Sequence, residues 1–254
     1  MLLAVDVGNT QTHLGVFDGE TLVEDWRVAT EAEATADQLA VTITGLLATR
    51  ELEGAELAGS VVSSVVPPLG QEYEQMCERY LGRACLSVGP GVKTGMAIRV
   101  DNPPEVGADR LVNAVAAYDR VGGAAVAVDF GTSTNFDAVS EQGEYLGGAI
   151  GPGLEISIEA LAERTAKLPL FRVEEPQAAV GRNTEDCLQS GFVYGFAGLV
   201  DGISQRLRAE LGEGTAFIAT GGLARAIVPY TETLSEIDDL LTLTGLRLIH
   251  ERNT

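Results

Sequence analysis

Residues 124–139 read AAVAVDFGTSTNFDAV, and the order of residue types in this stretch decides the fold. Ala124 to Val128 is a small-residue apolar run with no polar interruption, the pattern of a buried strand. It ends in Asp129-Phe130-Gly131-Thr132-Ser133-Thr134, and a second strand-like run, Asn135 to Val139, follows. An Asp at a strand end, then a Gly and a cluster of hydroxyls, makes a turn whose backbone can approach a phosphate closely. The chain opens in the same way: Leu2-Leu3-Ala4-Val5-Asp6-Val7-Gly8-Asn9-Thr10 is again an apolar strand, an Asp, a Gly and a polar turn. Asp6 corresponds to Asp129 and Gly8 to Gly131, an offset of 123 residues (129 − 6) in a chain of 254. Two such turns, nearly half a chain apart, imply two related lobes facing one cleft, each holding one side of a polyphosphate.

The flanking sequence supports the duplication. After the first turn, Thr12–Phe17 and Thr21–Val28 are apolar runs joined by Asp18-Gly19, a hairpin signal, so the opening is a three-strand meander. Thr35–Thr49 carries Leu39, Ile43, Leu46 and Leu47 at helical spacing. Leu57–Val66 reads as a strand, and Pro67-Pro68 then start a helix that ends near Leu81-Gly82. Leu86–Gly95 reads as loop. Gly107–Val121 is a helix with Leu111, Val112, Val115 and Tyr118 on one face. A second meander runs from Ala124 through a turn at Gln142-Gly143 to Ile150, and Gly151-Pro152-Gly153 opens another helix. The longest helical pattern spans Thr184–Leu211, Phe217–Ala219 is a strand ending in Thr220-Gly221-Gly222, and Leu240–Arg252 is a last helix. This order predicts an α/β protein of duplicated ribonuclease-H-like lobes, residues 1–117 and 118–254, with mixed β-sheets flanked by helices.

Composition narrows the function. A net charge of −20, with Lys93 and Lys167 the only lysines, provides no basic footprint for nucleic acid. Cys77, Cys85 and Cys187 are odd in number, scattered and without a nearby His, which argues against a disulfide framework and a zinc site. Met1 leads directly into a strand with no basic segment before it, and no apolar run approaches the ~18 residues of a membrane span, so a cytoplasmic protein is expected.

Other candidate sites divide into ordinary and chemical readings. Gly89-Pro90-Gly91-Val92-Lys93-Thr94 superficially resembles a Walker loop, but Val92 stands where Gly is needed and no helix follows. Either Asp-containing turn alone is also an ordinary tight turn; the matched pair favours phosphate or metal binding. In Asn102-Pro103-Pro104-Glu105-Val106-Gly107-Ala108-Asp109-Arg110, two prolines and a glycine lead to a helix start. Asp109 is there either a helix cap or a carboxylate poised for a substrate hydroxyl, kept ionised by Arg110 and the helix dipole. His13 and His250, the only histidines, have no sequence partner and are read as non-catalytic.

Taken together, DVGNT (6–10), NPPEVGADR (102–110), DFGTSTNFD (129–137), GGAIGPG (147–153), GRNT (181–184), ATGGLA (219–224) and the closing LTLTGLRLIHERN resemble the type III pantothenate kinase family over essentially the whole chain. DVGNT alone would indicate only the broader actin-like, hexokinase-like and Hsp70-like ATPase superfamily. The resemblance implies ATP-dependent phosphorylation of pantothenate to 4′-phosphopantothenate, the first step of coenzyme A synthesis. It assigns Asp6, Val7, Gly8, Asn9, Thr10, Gln11, Thr12 and His13 to the ATP phosphate turn, with Asp6 facing Mg²⁺ through water, and Thr132 to the ATP phosphates. It assigns Gly107, Ala108, Asp109, Arg110 and Thr184 to pantothenate, Asp109 as general base, and Asp129 to a monovalent cation, K⁺ or NH₄⁺. It also implies a homodimer, for which the apolar run with Phe192, Tyr194, Phe196 and Leu199 offers a surface. Val100 stands where the family often has Tyr, a position that the resemblance gives a substrate contact. Two competing readings are a non-enzymatic accessory factor in transcription and a sugar or acetate kinase of the same superfamily; the joint presence of Asp109, Arg110, Asp129 and Thr132 speaks against the first.

Overall fold

An apolar strand with partners on both sides has no use for an interior polar residue, and the two central strands of this protein obey that rule in the same way. The computed structural model describes residues 1–166 and 168–254. It divides into two compact units, one of Met1–Met96, Asn102–Ala116 and Leu241–Thr254, the other of Ala97–Asp101 and Ala117–Leu240.

In the first unit β1 (Leu2–Val7), β2 (Gln11–Asp18) and β3 (Thr21–Ala29) form an antiparallel meander. Then come α1 (Ala36–Ala48), β4 (Gly59–Ser64), α2 (Pro67–Met76) and β5 (Cys85–Ser87). The sheet order is β3-β2-β1-β4-β5, with β4 parallel to β1 and β5 parallel to β4. After the short β6 (Ala97–Ile98) and α3 (Ala108–Val121) the plan repeats with β7 (Ala125–Phe130), β8 (Ser133–Val139) and β9 (Glu144–Pro152). These are followed by α4 (Leu154–Arg164), α5 (Thr184–Leu211), β10 (Ala216–Thr220), α6 (Ala224–Ile227), β11 (Glu236–Ile237) and α7 (Leu241–Glu251). The second sheet runs β11-β10-β7-β8-β9-β6. Taken from the meander outward, β9-β8-β7-β10-β11 repeats β3-β2-β1-β4-β5 strand for strand, with the same parallel or antiparallel sense at every pairing. β6 is an addition, parallel to β9 at the sheet edge.

The local reasons are visible in the sequence. β1 and β7 have the same burial pattern, four buried residues, a half-buried Asp and a buried apolar residue. α1 starts at a capping box: the Thr35 hydroxyl accepts from the Gln38 amide N–H while the Gln38 side chain accepts from the Thr35 N–H at 2.9 Å. Leu39, Ile43 and Leu47 of α1 and Leu69, Tyr73 and Met76 of α2 cover Leu3, Val5, Leu14 and Val16 of the first sheet. Leu154 and Ile158 of α4 and Phe196, Ala197 and Val200 of α5 cover Val126, Val128 and Phe136 of the second.

Three expectations change. Cys85–Ser87, within and beside a stretch read as loop, is a strand in register with Ser60–Val62 of β4, because three residues are too few to show a period. The last helix, which a contiguous second lobe of 118–254 would contain, packs in the first unit. There Leu243 lies against Gly15 of β2, and the Thr242 hydroxyl donates to the Asn113 side chain of α3 at 2.8 Å. The aromatic excess of α5 is largely used inside its own unit: Phe192 packs edge-on to Phe171 and parallel to Phe196, and Tyr194 meets Tyr230 edge-on, leaving only Tyr194 of that set notably exposed.

Two glycines test these packing statements in opposite directions. A Cβ on Gly245 of α7 would sit 2.2 Å from the Val112 carbonyl of α3, a backbone atom that cannot swing away. A Cβ on Gly45 of α1 would meet nothing within 4 Å. Gly245→Ala is expected to lower stability by about 1–3 kcal/mol, as overpacking does. Gly45→Ala is expected to raise it by roughly 0.5–1 kcal/mol through helix propensity. Thermal or urea unfolding of the two variants checks both signs.

Candidate active site

Each central strand delivers a carboxylate to the point where its sheet stops. On β1, Asp6 faces His13 across the antiparallel pair and Ser63 across the parallel one. The chain then turns through Gly8-Asn9-Thr10-Gln11, closed by the Gly8 N–H donating to the Gln11 carbonyl at 3.1 Å. Asn9, Thr10 and Gln11 are exposed, so the turn presents its backbone to solvent. Its tip is tethered from β3's end: the Thr30 N–H donates to the Thr10 carbonyl at 2.9 Å, and the Thr12 and Thr30 hydroxyls are hydrogen-bonded at 2.9 Å. Thr12 and His13 belong to β2 and are buried. His13 Nε2 lies 2.8 Å from Asp25 Oδ2 of β3, a partner the sequence did not suggest.

On β7, Asp129 faces Asn135 across the antiparallel pair and Thr220 of β10 across the parallel one. The turn here is one residue shorter, Gly131-Thr132-Ser133, closed by the Gly131 N–H donating to the Ser133 carbonyl at 3.1 Å. Thr132 is exposed. Beyond β10 the chain crosses the Asp129 carboxylate at Gly221, whose φ is +91°; a Cβ there would lie 2.5 Å from Asp129 Oδ1 and 2.7 Å from the Phe130 backbone. Only glycine permits that crossing, which gives Thr220-Gly221-Gly222 its meaning. Gly153 packs as closely on the turn, its missing Cβ 1.9 Å from the Thr132 carbonyl.

The third locus is the start of α3. The Gly107 carbonyl accepts from the Leu111 N–H at 3.3 Å, the first bond of the helix. Asp109 lies in the first turn and folds back over Gly107, where a Cβ would fall 2.5 Å from its Oδ1. Burial pushes the Asp109 carboxyl above the usual Asp range. The Arg110 backbone N–H and the Arg110 charge pull in the other direction without offsetting it. Ala108 and Arg110 are half-buried beside it. Thr184 is the exposed first residue of α5, whose cap is Asn183, accepting from the Asp186 N–H at 2.9 Å.

The structure therefore groups Asp6 with the Gly8–Gln11 turn in the first unit and Asp129 with Thr132 and Gly221 in the second. A cavity of about 600 Å³ also lies in the first unit, lined by Thr12, Val28, Gln38, Leu39, Leu69 and Tyr73. Asp6 and Asp109 do not line it. Among the described residues no group of three or more His, Cys, Asp or Glu side chains is arranged to hold a metal. A cation here would rely in large part on oxygens brought by a ligand, a donor set suited to Mg²⁺ on a nucleotide.

Residues 2–206 match the type III pantothenate kinase family. A type III pantothenate kinase from Anaeromyxobacter sp. (strain K) is 52% identical over 253 residues that cover 100% of both chains. Among solved structures, a ROK family glucokinase from Streptomyces griseus in complex with glucose and AMPPNP aligns with a TM-score of 0.55 and 15% identity over 100% of this chain and 99% of that one. A protein from Campylobacter jejuni named as a Baf family transcriptional activator aligns with a TM-score of 0.61 and 18% identity over 99% and 98%. At such identities these structures speak for the fold alone, the duplicated ribonuclease-H-like fold of sugar kinases and actin-like ATPases. Matched by the family over most of its length and by a close relative from end to end, this chain belongs to the type III pantothenate kinase family.

Proposed function

We propose that the protein transfers the γ-phosphoryl group of ATP to the primary hydroxyl of pantothenate, giving 4′-phosphopantothenate and opening coenzyme A synthesis. The observation that carries this reading is the end-to-end similarity at 52% identity to a type III pantothenate kinase. An accessory role in transcription has only a fold likeness at 18% identity behind it.

Phosphoryl transfer asks a protein mainly for positioning and charge neutralisation. The turn from Val7 to Gln11, with Thr12 and His13 behind it, holds the ATP phosphates, and Thr132 binds them as well. Asp6, a half-buried carboxylate at the end of β1, would face Mg²⁺ through water. Asp129, covered closely by Gly221, holds K⁺ or NH₄⁺. When bound, these cations neutralise phosphate charge. Gly107, Ala108, Arg110 and Thr184 position pantothenate. Asp109 accepts the proton of the attacking hydroxyl as the new P–O bond forms and the bond to ADP breaks. Its burial suits that role, since a carboxylate with a raised pKa is a stronger base than an ordinary one.

The protein works in the cytoplasm, on small molecules and without nucleic acid; none of the helices among the described residues is long and apolar enough to cross a membrane. It acts as a homodimer, for which Ile150, Ile156 and Tyr194, exposed on the second unit, offer apolar surface.

Asp109→Asn keeps the shape and removes the base. Turnover is expected to fall by about 10²–10⁴ with ATP affinity nearly unchanged. Because the fold disfavours the ionised form, the stability this group contributes is lost as pH rises from the ordinary Asp range through the raised folded value. At pH 7 the Asn variant should therefore melt no lower than the parent. The acidic limb of kcat/KM should lie above about 3.9, the unperturbed Asp value. Near-normal turnover in the variant would remove Asp109 from the mechanism.

Gly107→Ala forces the Asp109 carboxylate off its seat without touching the core. Steady-state kinetics should show a loss in kcat well beyond any change in melting temperature. Replacing K⁺ by Na⁺ should slow the enzyme, and Asp129→Ala should abolish that difference; equal rates in the two salts, or a K⁺ response retained by the variant, would refute the cation role.

A further inference from the structure

The two turns that follow Asp6 and Asp129 are fastened by the same device. Just beyond each Asp the strand pairing closes on a threonine: Val7 pairs with Thr12 of β2, and Phe130 with Thr134 of β8. The two threonines are therefore counterparts, and both are buried, 3% and 1% exposed. Each commits its hydroxyl to the end of the third strand of its meander. The Thr12 hydroxyl is hydrogen-bonded at 2.9 Å to the hydroxyl of Thr30, the residue that follows β3. The Thr134 hydroxyl donates at 2.9 Å to the carbonyl of Pro152, the last residue of β9. Thr30 adds a second tie, its N–H donating to the Thr10 carbonyl at 2.9 Å. In both units the base of the turn is thus held to the neighbouring strand by a side chain as well as by the backbone ladder.

We propose, on the kinase reading above, that Thr30 and Thr134 are positioning residues for ATP. Their hydroxyl bonds hold the Gly8–Gln11 and Gly131–Ser133 turns in the shape that receives the phosphates. The turns themselves are lightly bonded. A single backbone bond, Gly8 N–H to the Gln11 carbonyl, closes the first, in which Asn9, Thr10 and Gln11 are exposed. The bond from the Gly131 N–H to the Ser133 carbonyl closes the second around the exposed Thr132. Such a segment loses conformational freedom when a ligand settles on it, and bonds already made in the free protein reduce that loss. Burial of Thr12 and Thr134 keeps water from competing for the two hydroxyl bonds, which makes them effective fasteners. Valine at position 30 or 134 has the shape of threonine and keeps the backbone N–H, including the bond from residue 30 to the Thr10 carbonyl, so it removes the hydroxyl bond alone. Serine restores the hydroxyl without the methyl group. A hydroxyl that only stabilised the fold would register its loss in the melting temperature; one that positions the turn registers it in nucleotide affinity.

The test titrates AMPPNP with Mg²⁺ into the full-length protein by calorimetry, without pantothenate, so that the readout is independent of the acceptor. Thr30→Val and Thr134→Val are each expected to weaken binding roughly five- to tenfold, the worth of one hydrogen bond, while Thr30→Ser and Thr134→Ser stay within about twofold of the parent. In steady-state assays the KM for ATP should rise in the two Val variants, and the KM for pantothenate at saturating ATP should not. Unchanged nucleotide affinity in either Val variant, whatever its melting temperature, overturns the proposal and leaves the kinase reading standing. A loss of affinity that serine fails to restore overturns it equally. A parent protein that does not bind the nucleotide overturns both.

Discussion

A strand hydrogen-bonded on both sides and packed on both faces can bury a polar side chain only against a partner, and otherwise turns polar only where the sheet ends. β1 and β7 meet that constraint identically: four buried residues, then Asp6 or Asp129 half-buried, then one buried apolar residue and a turn opened by Gly8 or Gly131. The rest of each unit is built to hold that strand still. The meander secures one edge, the parallel strand β4 or β10 secures the other, and helices cover the apolar residues. The two units then differ at the turn itself. The first has a four-residue turn with exposed backbone, and the second a three-residue turn with a glycine laid across its carboxylate.

How much of this was legible in the sequence follows from element length. Long periodic segments were readable to within a residue or two: α1 lies inside the predicted Thr35–Thr49, and α5 spans Thr184–Leu211 as predicted. β5, β6 and β11, two or three residues each, have no period to detect and exist because a longer neighbouring strand offers an edge. The amphipathic pattern of α7 announced a helix but not which sheet it would cover; Gly15 and Gly245, which allow its close approach, are the signal that was available. The candidate site residues were named from residue types and order alone. Their environments were not legible there: that burial outweighs Arg110 at Asp109, that His13 pairs with Asp25, and that Gly221 crosses Asp129 all depend on residues distant in sequence or on solvent exclusion.

Charge shapes the proposed chemistry as well. A protein of net charge −20 with two lysines must bind a polyanion without a lysine cradle. Backbone N–H groups in glycine turns and the cations of the proposed mechanism are the alternative, because they concentrate positive potential locally against an unfavourable overall field. That logic explains why the informative residues are Asp, Gly and Thr rather than Lys, and why cation dependence belongs to the account.

The most direct measurement follows both products of the purified enzyme. With ATP and a cation mixture containing Mg²⁺ and K⁺, addition of pantothenate should yield ADP and 4′-phosphopantothenate in equal amounts, identified by mass, with little ADP formed when pantothenate is omitted or replaced by a sugar. ADP release indifferent to pantothenate, or phosphorylation of a sugar in its place, would contradict the account.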